Sequence, residues 1–324
     1  MQFPAHNVSV STKSSSNVRY QPEGSFAGNS AISISSQWNY SGSSAAVLDS
    51  VAAVTLPVRP VKPRIHAEVG RYRLRLAQSV EDRDAVCRLR FKVFNIELGK
   101  GLESSYQTGL DTDHFDLFCE HLIVEDKSEI DPARRIVGTY RMQSGNTALD
   151  NLGYYSEQEF DFAPFEAIRG EILELGRASI DREHRTPEVL TLLWRGIAQY
   201  ATDMQLRYLI GCSSLNTADP CEGWQMYAQL KNYRASEELQ TRPTEAFLCP
   251  GQEPGQAPSH DPVQDATETA KAPKLLKTYL AIGARICSAP AWDREFGTID
   301  FLTLMDLRSI TSSARNRFLA PLTH

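Results

Sequence analysis

The segment EILELGRASIDREHR, residues 171–185, alternates with the two-residue period of a strand, yet it sets Glu174 and Arg177 among small and apolar neighbours. A carboxylate placed there can accept a proton from a reacting group, and a guanidinium can grip a second carboxylate through two parallel hydrogen bonds. An ion pair of Arg177 with Glu171 or Asp181 would satisfy the same charges without any chemistry. On a regular strand residues 174 and 177 point to opposite faces. Gly176 between them favours a β-bulge, whose extra residue brings both side chains to one face.

Other polar residues carry weaker signals. Asp111, Asp113 and Asp116 crowd one acidic loop, which reads as a ligand loop or a solvated turn and lacks the glycine and distal glutamate of an EF-hand. His114 and His121 stand seven apart, without metal-ligand spacing, so no metal site is expected. Cys212 falls in the apolar run YLIGCSSL as a small filler, and no Gly-x-Ser-x-Gly elbow occurs. Arg141 in the strand GTYRM is either solvated or functional.

These residues need a sheet to hold them. RYRLRLAQ alternates Tyr72, Leu74 and Leu76 with arginines, as a half-buried strand does. SVEDRDAVCRLRFKVF follows as a helix, with Ser79 as N-cap, Asp82 at the capping-box position, and Val86, Leu89, Arg90 and Val93 at helical spacing. HLIVED and RRIVGTYRM pair as antiparallel strands around KSEIDPA. Past the opening strand, Thr186 and Pro187 start a helix with the stripe Leu190, Leu193, Ile197, Tyr200 and Met204. YLIGCSSL is a buried strand, and LLKTYLAIGARI is a helix. FGTIDFLTLMDL returns to the sheet, with Ile299, Phe301 and Leu304 on apolar positions. This order describes one α/β (α+β) domain over residues 69–324. Residues 1–68, rich in Ser and ending in LPVRPVKPR, are expected to be a disordered arm, and residues 235–273 a flexible insertion.

Composition narrows the partners. With 324 residues and 41% hydrophobic content the chain can bury a sizeable core. A net charge of −6 and the lack of basic runs interleaved with aromatics argue against nucleic acid. No apolar run is long enough to span a bilayer, and the first residues lack a basic stretch followed by an apolar one, so neither a membrane span nor a signal peptide is expected. Six scattered cysteines without a CxxC pair fit reduced thiols in a cytoplasmic protein.

Taken in order, LRFKVFNIELG, DTDHFDLFCEHLIVED, RRIVGTYRM, ELGRASID, LLWRGIAQYA, YLIGCSSL and the segment from LLKTYLAIG to TLMDL resemble the GNAT superfamily. More narrowly, they resemble its group of lyso-ornithine-lipid acyltransferases and N-acyl amino acid synthases, which is similar to the acyl-homoserine-lactone synthases. The resemblance spans residues 71–318 apart from the insertion. It implies a GNAT-like twisted mixed β-sheet flanked by helices. It also implies an N-acyltransferase that moves a 3-hydroxyacyl group from an acyl carrier protein thioester to the α-amine of an amino acid, ornithine first. No bound cofactor is implied, since the phosphopantetheine thioester, or acyl-CoA in its place, is a substrate.

Carried over by position, Glu174 and Arg177 match the Glu-x-Ser-Arg strand of the synthases, with Gly176 in place of the serine. Glu174 then becomes the general base, and Arg177 orients it or holds the acceptor's carboxylate. Arg90 with Phe94, the loop Asp111, Asp113 and Asp116, and Arg141 match substrate-binding positions, with the aspartates suited to ornithine's side-chain amine. Tyr208, Leu209 and Ile210 are expected to wall the pantetheine channel, with Arg182 and Arg185 at its phosphate. Members that use coenzyme A carry a glycine-containing turn at this place, whereas DREHRTPE contains no glycine, which favours a carrier-protein donor. A lipid product implies peripheral membrane contact near Arg308, Arg315, Arg317 and Phe318. A diffusible acyl-amino-acid or lactone signal is the alternative product, and a non-catalytic acyl-binding module the alternative class.

Overall fold

The computed structural model describes residues 63–251 and 271–318. The arm over residues 1–62 and the insertion over residues 252–270 lie outside the described residues. In chain order the elements are β1 (His66–Val69), β2 (Tyr72–Leu76), α1 (Val80–Phe91), β3 (Glu120–Asp126), α2 (Pro132–Arg135), β4 (Ile136–Ser144), α3 (Gly145–Leu149) and β5 (Ile172–Ile180). Then come α4 (Pro187–Asp203), β6 (Tyr208–Leu215), α5 (Pro220–Gln229), α6 (Lys274–Ile282), β7 (Arg285–Ile286), β8 (Ala291–Asp293), β9 (Thr298–Asp306) and α7 (Ser312–Phe318). The strands join in one sheet of order β1-β2-β3-β4-β5-β6-β9-β7, with β8 also on β9. Among the named strands β5 and β6 pair parallel and the other strand pairs are antiparallel, so the sheet is mixed, as expected.

Alternation along β3 decides which helix lies on which face. Ile123 packs with Val86, Leu89 and Val93 of the α1 segment, whereas Leu122 and Val124 pack with Val189, Leu193 and Ile197 of α4. Helix α4 begins where Thr186 and Pro187 place it, the Thr186 side chain accepting from Val189 N. Gly196 lets α4 close on the sheet, because a Cβ there would fall 2.8 Å from Leu74. Burying each large aliphatic of this layer contributes about 1.5–3 kcal/mol. Helix α1 is capped by Ser79 as expected, but Asp82 reaches back to Gln78 N. The helix then passes into a π-helical turn, Lys92–Glu97, a widening common at functional sites.

Two boundaries differ from expectation. Strand β1 begins at His66, inside the segment assigned to the arm, because His66–Val69 pairs with Tyr72–Arg75. Residues 235–251, assigned to the flexible insertion, are ordered by main-chain hydrogen bonds: Ala235 N to Ile286 O at 2.9 Å, Thr241 N to Cys287 O at 2.6 Å, and Thr244 N to Glu159 O at 2.8 Å. Such bonds need no hydrophobic period, so composition could not announce them. Phe318 is also not a surface residue; it is buried, with its ring 6.0 Å from that of Trp194.

Candidate active site

Strand β5 carries the bulge anticipated from Gly176, but Arg177 takes the unusual backbone. Arg141 of β4 lies opposite Gly176 and Thr139 opposite Ser179, so Arg177 and Ala178 together face the single residue Tyr140. Arg177 has φ of 50°, a left-handed conformation that a non-glycine residue adopts at some cost. Just before the bulge the parallel ladder ends at Glu174 and Ile210, and β5 and β6 part. The backbones touch at the fork, where a Cβ on Gly211 would fall 2.3 Å from the Leu175 carbonyl oxygen. The gap opens into a cavity of about 460 Å³ lined by Glu174, Arg177, Arg141, Leu209 and Ile210.

Glu174 is buried, 5% exposed, beneath the helical turn Tyr155–Gln158. Its Oε1 accepts from Ser156 N at 2.8 Å and Ser156 Oγ at 2.5 Å, and its Oε2 accepts from Tyr155 N at 2.8 Å. A carboxylate offers about four acceptor sites, so one on Oε2 stays free. Burial pushes the Glu174 carboxyl above its usual range despite those donors and the charge of Arg141. Beside it in register, Gln143 lines the cavity with its Oε1 buried and unpartnered among the described residues.

The other anticipated residues form a closed ring of alternating charge. Arg90 bonds Asp111 at 2.7 Å and Asp116 at 2.7 and 3.1 Å; Arg141 bonds Asp113 at 2.6 and 2.7 Å and Asp116 at 3.3 Å; Arg177 reaches Asp111 at 3.4 Å and Asp113 at 3.2 Å. Each aspartate bridges two arginines and each arginine two aspartates. Burial alone would raise the Asp116 carboxyl, but Arg90 and Arg141 outweigh it and hold it far below the usual range. The aspartates therefore spend their charge on arginines, and none of them lines the cavity, where the resemblance had them near the acceptor's amine. Arg90 is fully buried away from the cavity. Arg177 is the loosely held member and faces the cavity, its guanidinium 4.4 Å from the ring centre of Phe296. Among the described residues its ion pairs are with Asp111 and Asp113 rather than with Glu174, Glu171 or Asp181, and Asp181 pairs with Lys92 at 2.6 Å.

Arg182 and Arg185 stand exposed before α4 and outside the cavity lining, with Arg185 donating to Ile180 O at 3.0 Å and to Glu97 at 2.5 Å. Tyr208 is also outside the lining, whereas Leu209 and Ile210 are in it. Towards α6 the cavity becomes apolar, walled by Trp194, Leu276, Ala284 and Met305. Tyr140 and Tyr279 satisfy each other there, their hydroxyls 2.7 Å apart. Burial raises the thiols of Cys87 to about 11 and Cys287 to about 12, and that of Cys212 well above its usual value, so none is a ready nucleophile. All six cysteines are unpaired.

The sequence reading missed a second acidic group in the same lining. Glu159, Asp293 and Asp300, all buried, bring one oxygen each within 4.8 Å of one another, an arrangement that can hold a cation. Asp300 was detectable by the signal that exposed Glu174, a carboxylate inside an apolar strand.

An acetyltransferase (GNAT) domain family matches residues 89–195. The L-ornithine N(alpha)-acyltransferase of Agrobacterium fabrum is 34% identical over 76% of this chain and 84% of its own length. The protein of the same name from Brucella abortus is 30% identical over 76% of this chain and 89% of its own length. The chain belongs to this acyltransferase family. Its mixed sheet with flanking helices is the GNAT fold, and it is an acyltransferase. Among solved structures, an N-acyl amino acid synthase from uncultured soil microbes superposes with a TM-score of 0.44 and 13% identity, over 78% of this chain and 97% of that one. No helix among the described residues is long and apolar enough to cross a membrane.

Proposed function

We propose that the protein transfers a fatty acyl group, 3-hydroxylated in its preferred form, from an acyl carrier protein thioester to the α-amine of ornithine, giving a lyso-ornithine-lipid-type product. The observation that carries this reading is the facing of Glu174 and Arg177 into one cavity whose far stretch is apolar. The thioester lies along the gap between β5 and β6, with its acyl chain towards Trp194 and Leu276. Arg177 holds the acceptor's carboxylate, using donors that the aspartates engage only at 3.2 and 3.4 Å.

An α-amine with a pKa of about 8 enters mostly protonated, and attack needs it neutral. Glu174 accepts that proton at the free site on Oε2, directly or through a water, while Gln143 Oε1 accepts a remaining N–H. The amine nitrogen then bonds to the thioester carbonyl carbon, the carbon–sulfur bond breaks, and the pantetheine thiol leaves with a proton. No acyl-enzyme is required.

The turn before α4, with no glycine and with Arg182 and Arg185 exposed, favours a carrier-protein donor over coenzyme A. Exposed Arg308, Arg315 and Arg317 offer a cationic face towards the membrane into which the product partitions. Mass spectrometry of lipid extracts from a host expressing the chain tests the reading. An acyl-ornithine species absent from a host expressing Glu174→Gln is expected, and a different acylated amine or none overturns the assignment.

A further inference from the structure

The arginine–aspartate ring is neutral in itself, three charges of each sign, whereas Glu159, Asp293 and Asp300 have no balancing cation. Among the described residues no lysine or arginine pairs with them, and Lys100, a lysine of the same cavity lining, is turned onto Gly297 O at 2.8 Å. Their exposures are only 1%, 4% and 3%. Glu159 Oε2 and Asp300 Oδ1 are buried without a hydrogen-bond partner among the described residues, the other carboxyl contacts being with Cys212, Ser214, Thr298 and one another, and both residues line the cavity. Burying carboxyl groups without compensation is costly, so such a cluster persists where a ligand or protons complete it.

The cluster sits beside the reacting centre. Ser156 donates to Glu174, Cys212 Sγ lies 3.5 Å from Ser156 Oγ, and Cys212 also reaches the Glu159 carboxyl. Glu159 itself closes the turn Tyr155–Gln158 that cages Glu174. Asp300 enters from β9 opposite Ser214, and Asp293 from the end of β8 opposite Thr298.

We infer that Glu159, Asp293 and Asp300 form the pocket for the side-chain ammonium of the amino-acid acceptor, making the enzyme selective for a second positive charge beyond the reacting amine. The inference rests on the acyl-transfer reading above and deepens it. An ammonium brings three N–H donors and a full charge. Glu159 Oε2 and Asp300 Oδ1 are the unpartnered acceptors for it, and Asp293, whose Oδ1 accepts from Glu295 N at 2.9 Å and Phe296 N at 3.0 Å, adds its charge beside them. A divalent cation at the same three carboxylates would complete its shell with waters, and the experiment below separates it from an ammonium. Burial together with the neighbouring carboxylates raises Glu159 well above its usual range and Asp300 to about 6, the direction expected of acids with no positive charge beside them.

The experiment compares L-ornithine with L-norvaline, which has the same carbon chain without the terminal amine. Acyl-transfer kcat/KM and calorimetric binding are measured for both amino acids on the full-length chain and its Asp300→Asn and Glu159→Gln variants. The preference for ornithine over norvaline is expected to fall about ten- to a hundredfold in each variant, the loss of one charge-assisted bond. Equal loss for both amino acids, or an intact preference, overturns the inference. So does a rate that requires an added divalent cation and disappears with a chelator. If the wild-type chain acylates neither amino acid, the acyl-transfer reading fails, and calorimetry alone decides. Tighter ornithine binding that the variants abolish supports the pocket, and equal binding of the two amino acids rejects it.

Discussion

Glu174 and Arg177 lie three residues apart on one strand and open into the same cavity, because Arg177 itself takes the left-handed backbone of a bulge. The two side chains are not partners. Glu174 is held by the turn that follows α3, Arg177 by the acidic loop before β3, and the strand only sets them side by side. This division of support predicts separable phenotypes.

Arg177→Gln removes the weakest pair of contacts in the ring and the one guanidinium proposed to hold the acceptor's carboxylate. The expected result is a rise of ten- to a hundredfold in KM for the amino acid with a smaller change in kcat, since a charge-assisted bond contributes about 1.5–3 kcal/mol. Steady-state kinetics with varied acceptor decides it. A fall confined to kcat would assign Arg177 to the chemical step instead.

Glu174→Gln keeps the shape and an acceptor oxygen but loses the base. A drop of about 10²–10⁴-fold in kcat is expected while circular dichroism stays near wild type, with a loss of about 1–3 kcal/mol in stability because the new NH2 must face a backbone N–H that Glu174 accepts from. Because burial raises the Glu174 carboxyl, wild-type kcat should fall as pH drops through that raised value, where the base becomes protonated. The variant's residual rate should lack that acidic limb. A limb that persists in Glu174→Gln would assign the proton acceptor to another group.

Arg90 tests the ring away from the cavity. It is fully buried and joined to Asp111 and Asp116, so Arg90→Met leaves two buried carboxylates short of a partner. Breaking one member of a buried ion cluster costs about 3–5 kcal/mol. Urea unfolding should show that loss. A variant that melts like wild type but binds the amino acid weakly would instead return Arg90 to the substrate site.

Much of this was legible in the sequence, for stated reasons. Alternation announced β2, the Thr186–Pro187 start announced α4, and a charged pair inside an apolar strand announced β5. Gly176 signalled a bulge, though steric freedom at the glycine did not decide which residue would turn left-handed. Closure of the ring was not legible, because it depends on β4, β5 and the acidic loop meeting in space, and no local period encodes that. The meeting of Glu159 with Asp300 is of the same kind. Asp300 carries a local signal, as a carboxylate in FGTIDFLTLMDL that the sequence reading passed over, but its partner comes from a polar turn far away in the chain.

His121 offers a last test, on stability. It lies 4% exposed on β3, 3.7 Å from Asp116, and burial with the charges of Arg90 and Arg141 lowers it from 6.5 to about 4. The folded state therefore resists a proton that the unfolded chain takes up below pH 6.5. Stability should fall as pH drops from about 6.5 to about 4, by roughly 3 kcal/mol from this group. Asp300, raised to about 6, works in the opposite direction across much of that window, so the difference between wild type and His121→Leu is the quantity to read. Urea midpoints measured at intervals from pH 7 to 4 should show a flatter decline in the variant. Parallel curves would place the acid sensitivity elsewhere. Below about pH 4 both proteins should lose stability together, as Asp113 and Asp116, held low by their arginines, at last take up protons.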